Sequence, residues 1–285
     1  MSILGIVILA GPVGSESLGT SARQLPKGSL KLLTYYQGVQ DQSLNFNIVG
    51  AAQCAAAPPN AGGAVFSCGQ GGDVEVTGRG GAGLLKVVYQ PWESLQYYVA
   101  GGLGEYSLSV PSATITNTLT GDTPGWTMTV GAKAVLMADT EVSPALALDL
   151  SVTKSRYKFN RRYPGGTPLA NNRINQALSL TQFQAALEAS HVFTVKDAID
   201  KADEKQNLLF LKGGGVKVEP YGGLKWIRTQ TDLNDLQDGS HAGGQQDTIS
   251  PFLGFRLPVY EHEVLFAEAS FVDGYQYAAG LEIRF

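Results

Sequence analysis

The chain has 285 residues, a formal net charge of −4, and 44% hydrophobic against 16% charged residues. The charged fraction falls below the ~25% of soluble chains, and the acidic balance argues against a nucleic-acid partner, whose binding surfaces are basic. No window offers the ~18 or more consecutive apolar residues of a membrane helix, which leaves alternating strands as the other way across a bilayer.

Residues 1–22 open with an apolar run, Ile3 to Ala10, followed by Gly11, Pro12 and small polar residues. The run reads as the core and exit of a truncated export signal, because no Lys or Arg precedes Arg23. The alternative is an ordinary buried strand. On the first reading residues 23–285 form the body of the protein.

Strands are expected over about 30–48, 73–89, 94–110, 125–137, 143–157, 176–190, 215–231, 248–259, 263–272 and 274–285, with boundaries uncertain by ~2–4 residues. Period-two patterning carries them. Trp126, Met128, Val130, Ala132 and Ala134 oppose Thr127, Thr129, Gly131 and Lys133. Leu146, Leu148, Leu150 and Val152 oppose Ala147, Asp149, Ser151 and Thr153. The first strand is ambiguous, since Leu32 and Leu33 fall on opposite faces. Short connections near 90–94, 138–141 and 260–263 alternate with longer ones near 50–72, 111–124, 158–175 and 233–247. This order predicts an all-β fold: an antiparallel up-and-down transmembrane β-barrel of about ten strands, with eight or twelve as alternatives. Residues 191–214 read either as a short amphipathic helix over Val195 to Glu204 or as a hairpin that raises the count to twelve. Trp92, Tyr97, Tyr98, Trp126, Tyr157, Tyr163, Trp226, Tyr260 and Tyr275 lie near strand ends, as membrane-interface girdles would.

Opposite the apolar stripes lie Glu75, Arg79, Lys133, Asp149, Glu188, Glu219, Lys225, Arg256, Glu268, Glu282 and Arg284. In a barrel these would line the lumen. They form either an ion-pair network that fills it or the lining of a narrow pore. Cys54 and Cys68 flank a Gly- and Pro-rich loop, and a disulfide there would contribute about 3 kcal/mol. Two thiols without a nearby His do not make a metal site. Arg161 and Arg162 sit in a basic, aromatic loop that suits an anionic ligand. Ser190 and His191 are neighbours and so point to opposite faces of a strand, and His262 lies between two glutamates. No cofactor is expected, and no acid–base set converges, so the chain reads as a non-enzyme.

The last strand runs from Tyr275 to Phe285. Tyr275, Tyr277, Ala279, Leu281, Ile283 and Phe285 share one face, and Gln276, Glu282 and Arg284 share the other. This ending resembles the C-terminal signature of Gram-negative outer-membrane β-barrel proteins, carried here by Tyr277, Leu281, Ile283 and Phe285. The resemblance implies an outer-membrane location and contact with membrane lipid and lipopolysaccharide. It also implies recognition by the barrel-assembly machinery. The implied function is a structural or narrow-pore barrel for small solutes, with an adhesin or ligand-binding barrel acting through its outer loops as the alternative. His241, near Asp238, is similar to the His–acid arrangement of omptin surface proteases. The loop 111–124 supplies only Asp122, and the spacing differs, so proteolysis is a minor alternative.

Overall fold

A computed structural model describes residues 22, 26–48, 72–111, 116–165, 173–195, 216–235, 241–260, 262–271 and 274–285. The strands are β1 (Leu30–Ile48), β2 (Gly72–Trp92), β3 (Leu95–Pro111), β4 (Thr116–Thr120), β5 (Gly125–Met137), β6 (Ala145–Pro164), β7 (Arg173–Ser190), β8 (Phe193–Val195), β9 (Val216–Asp235), β10 (His241–Pro258), β11 (Glu263–Ser270) and β12 (Tyr275–Arg284). All pair antiparallel. β4 and β5 are two parts of one descending stave, since both pair with β3 and β6. β8 continues β7 along β9. The ring therefore has ten staves, and β1 closes it on β12 from Lys31↔Arg284 to Gln40↔Tyr275.

Several strands run beyond the expected limits. β6 continues to Pro164, β9 to Asp235, and β10 begins at His241. Arg161 and Arg162 thus stand on a strand rather than in a free loop. β11 and β12 are short. Above their hairpin β1 bends at Asp41, whose φ is 56°, and reaches β10 directly at Asn47↔Gly243.

The wall changes polarity partway up. On β6, Leu148, Leu150 and Val152 project outward and exposed while Asp149, Ser151 and Thr153 are buried inside. Higher on the same strand Lys154, Arg156 and Lys158 are outside, and Tyr157 and Phe159 are buried inside. β3 repeats this. Tyr97, Val99 and Leu103 lie outside its lower part, followed by Glu105, Ser107 and Ser109, with Tyr106, Leu108 and Val110 inside. A bilayer takes ~9–11 residues of a tilted strand. β6 has 20 residues, so roughly half of it lies beyond the apolar belt. There the outside meets water and the inside must supply its own apolar medium.

That upper core contains Leu44, Phe46, Val76, Leu119, Phe159, Leu178 and Leu180, with Tyr106 stacked on Tyr157 at 5.1 Å between centroids. Each fully buried Leu or Phe contributes about 1.5–3 kcal/mol of transfer free energy.

Candidate functional site: the filled lumen

Below the apolar core the barrel interior holds buried charges. Among the described residues five are cations, Lys31, Lys86, Lys133, Lys225 and Arg256. Five are anions, Asp149, Glu188, Glu219, Glu268 and Glu282. None is more than 6% exposed. A water-filled bore would wet them.

Strand register brings these charges together. Lys133 on β5 is the direct cross-strand partner of Asp149 on β6, and its Nζ lies 3.6 Å from Asp149 Oδ2. The same Nζ donates to Glu188 Oε2 on β7 at 2.7 Å. Tyr98 donates its hydroxyl to Asp149 Oδ1 at 2.7 Å, and Lys86 Nζ sits 3.9 Å from the Tyr98 ring centroid. Nearer the chain ends, Arg256 is hydrogen-bonded to Glu282 and lies 3.6 Å from Glu219 Oε2, its direct cross-strand neighbour. Lys31 Nζ approaches Glu282 Oε1 at 3.2 Å. Arg284 Nε reaches the same oxygen at 2.7 Å from the partly exposed rim. Tyr221 donates to Glu268 Oε2 at 3.0 Å. Buried ions persist only when paired in this way, because an unpaired one costs several kcal/mol.

Between the ionic layer and the apolar core lies a layer of hydroxyls and amides. Thr127 meets Ser155 at 2.8 Å, and Thr129 meets Thr153 at 2.6 Å. Gln182 donates to Thr229 Oγ1 at 3.2 Å. These too are direct cross-strand partners.

Eight of the residues expected in the lumen, Lys133, Asp149, Glu188, Glu219, Lys225, Arg256, Glu268 and Glu282, lie there, and Arg284 lies at its rim. Glu75 and Arg79 do not. They stand outside the upper wall, where the apolar stripe faces inward and its polar opposite faces solvent. Glu75 accepts a hydrogen bond from Ser43, and Arg79 pairs with Asp41 at 3.1 Å. Lys31, Lys86 and Tyr221 are lumen residues that sequence reasoning missed. Lys31 belongs to the strand with ambiguous faces. Lys86 sits in Leu84-Leu85-Lys86-Val87-Val88, where both faces read as apolar. Tyr98 and Tyr157, expected in girdles, are buried inside. Trp92, Tyr97, Trp126, Trp226, Tyr260 and Tyr275 are exposed as interface residues would be.

The remaining candidates are dispersed. His191 Nδ1 lies 2.8 Å from Asp139 Oδ1 at the lower rim, while Ser190 is buried on the inner face. Asp122 is engaged by Arg161 at 2.7 Å and by Asn160. Arg162 Nε donates to Asn117 Oδ1 at 3.1 Å. His241 opens β10, and Asp238 lies outside the described residues, as do Cys54, Cys68 and residues 196–214 of the uncertain segment. Tyr277 is exposed on the outer face of β12 and Phe285 is exposed just beyond its end, with Leu281 and Ile283 half-buried between them. The Phe285 amide donates to Leu30 O at 3.0 Å across the closing seam.

The sequence matches no protein-family model and no curated protein. Among solved structures, the chain is similar to the translocator domain of the autotransporter NalP from Neisseria meningitidis at 11% identity and a TM-score of 0.46, covering 92% of this chain and 89% of that one. It is also similar to the outer-membrane protease OmpT from Escherichia coli at 11% identity and a TM-score of 0.44, covering 93% and 100%. A third is the outer-membrane protein OprG from Pseudomonas aeruginosa, at 8% identity and 0.36, covering 93% and 99%. At such identities these likenesses say nothing about activity. The closed antiparallel ring, wrapped by an outward apolar belt, has the architecture of a transmembrane β-barrel.

Proposed function

We propose that the protein is a sealed structural barrel of the outer membrane. It anchors and carries a β-wall above the bilayer rather than passing solutes. The observation that supports this reading is the filling of the lumen throughout the described height. Paired charges lie below, hydroxyls and amides lie between, and an apolar core lies above. A selective pore concentrates one sign of charge along a wet path. Here five cations meet five anions out of contact with water. An ion entering the upper half would have to shed its hydration among Leu44, Phe46, Leu108 and Leu178.

Planar-bilayer recording tests the reading. The reconstituted chain is expected to add no unitary conductance in salt at either polarity. A reproducible open level would overturn it and restore the narrow-pore role.

A second role, ligand or partner contact through the outer surface, is favoured by the polar exterior that the long strands raise above the belt.

A further inference from the structure

Ala22 precedes Leu30, the first residue of β1, by eight positions, yet it is fully buried and packs against Ala145 and Ala147. Both partners are inward residues at the lower end of β6. Ala145 is the cross-strand neighbour of Ser190, and Ala147 that of Glu188. Ala147 lies one inward step below Asp149, so Ala22 sits inside the lumen, beneath the Lys133–Asp149–Glu188 cluster. In the ring, β6 stands four ladders from β1, by way of β2, β3 and β5. The chain therefore comes to β1 from across the lower mouth and not from outside the wall.

A turn just before β1 sets this approach. Ser29 N donates to Pro26 O at 3.1 Å, and Ser29 Oγ donates to the same oxygen at 2.7 Å. Gly28 has a φ of 83°, the left-handed conformation that the third position of such a turn requires. Its amide donates to Gln90 O at 2.7 Å, and Gln90 N donates back to Ser29 O at 3.1 Å. These bonds pin the turn to the foot of β2. Beyond it the hold is weaker, because three alanine methyls bury little apolar area. The contact at Ala22 thus fills space more than it binds. Ser190 is buried beside Ala145, and its Oγ has no hydrogen-bond partner among the described residues.

We propose that Ala22 is a displaceable stopper, seated in a socket of Ala145, Ala147 and Ser190. Seated, it closes the lower mouth beneath the buried charges, and the Ser190 hydroxyl is available to the main chain that enters there. Displaced, it opens a vestibule onto Lys133, Asp149 and Glu188 while the apolar core above stays shut. A carboxylate at position 22 would unseat it, because Lys133 already serves two acids and leaves the newcomer buried without a cation. The assignment counts Ala22 with the barrel body and not with the apolar run upstream of it. It deepens the sealed-barrel reading and rests on it for the upper half of the lumen.

The test is thiol labelling of the refolded full chain in neutral detergent, with a methanethiosulfonate reagent and a Cys54→Ser/Cys68→Ser background. Ala22→Cys is expected to react about tenfold or more slowly than Lys27→Cys on the exposed turn, because a buried thiol waits on local opening. Ala145→Cys is expected to be protected likewise, and to gain about tenfold or more in rate when Ala22→Asp is added. Folding of each variant is checked by heat-modifiable gel mobility. Should the Ala22→Asp combination fail to fold, the comparison of positions 22 and 27 still decides. Equal rates at those two positions in the folded chain would overturn the proposal. So would an Ala145→Cys rate that a folded Ala22→Asp variant leaves unmoved. Conductance reads the whole bore, whereas labelling reads its lower mouth. A conducting barrel with position 22 protected would overturn the sealed reading and leave the stopper, and rapid labelling at position 22 without conductance would do the reverse.

Discussion

Tyr98 on β3 occupies the space over Gly131, its direct cross-strand partner on β5, and from there its hydroxyl reaches Asp149. A Cβ at position 131 would overlap the ring. Tyr221 stands over Gly254 in the same way and reaches Glu268. Each ring shields a glycine backbone while directing a donor at a buried carboxylate. Gly131→Ala is expected to destabilise the barrel by about 1–3 kcal/mol, the usual cost of overpacking, measured by urea unfolding in lipid vesicles. A Tyr98→Leu background should recover part of that loss, because the two sites are in contact.

Lys133 neutralises two carboxylates at once. Replacing it with Met leaves Asp149 and Glu188 facing each other without a cation between them. The expected loss is about 3–5 kcal/mol, as for other broken buried ion pairs. Lys154→Met on the outside of the next strand should change the same unfolding midpoint by less than ~0.5 kcal/mol.

The position of the belt is testable with one charge placed at two heights. Leu150→Arg puts a guanidinium into the lipid layer and is expected to cost about 2–4 kcal/mol near the midplane. Thr77→Arg, outside the upper wall, should cost less than ~0.5 kcal/mol. Equal penalties in vesicle-based unfolding would show that the two positions share one solvent.

Asp247 and Arg228 form a two-pronged pair above Trp226, at 2.7 and 2.8 Å. The Arg228 hydrogen bonds hold the Asp247 carboxyl below its ordinary 3.8. A depressed carboxylate contributes stability that is present above its unfolded value and lost as pH falls through the folded one. The contribution is therefore expected to fade only below pH 3.8. Salt should weaken it, because both side chains are exposed. Carbon-13 titration of the Asp247 carboxyl should give a midpoint that rises toward the ordinary value in Arg228→Gln.

Period-two patterning exposed most of the ring. Stripes such as Trp126–Val130 and Leu146–Val152 are lipid-facing as their alternation suggests, and the ten staves follow from the order of long and short connections. The upper wall was harder to read, because an apolar stripe does not say whether it borders lipid or packs inside. Assigning every such stripe to lipid placed Glu75 and Arg79 in the lumen. The signal for the reversal is present on β6. Leu148, Leu150 and Val152 give way to Lys154, Arg156 and Lys158 without any change of parity. The ion pairs were less legible, since partners such as Lys133 and Glu188 lie 55 residues apart and meet only through register.

The reversal of wall polarity also bears on how errors are rejected during assembly. Sliding a long stave by one residue exchanges its faces over the whole length. For β6 such a slip would turn Asp149 and Ser151 toward lipid and, in the same movement, turn Phe159 toward water and Lys158 into the apolar core. A uniform barrel penalises misalignment through one solvent boundary. This one penalises it through two, so its long strands tolerate a one-residue offset in neither half.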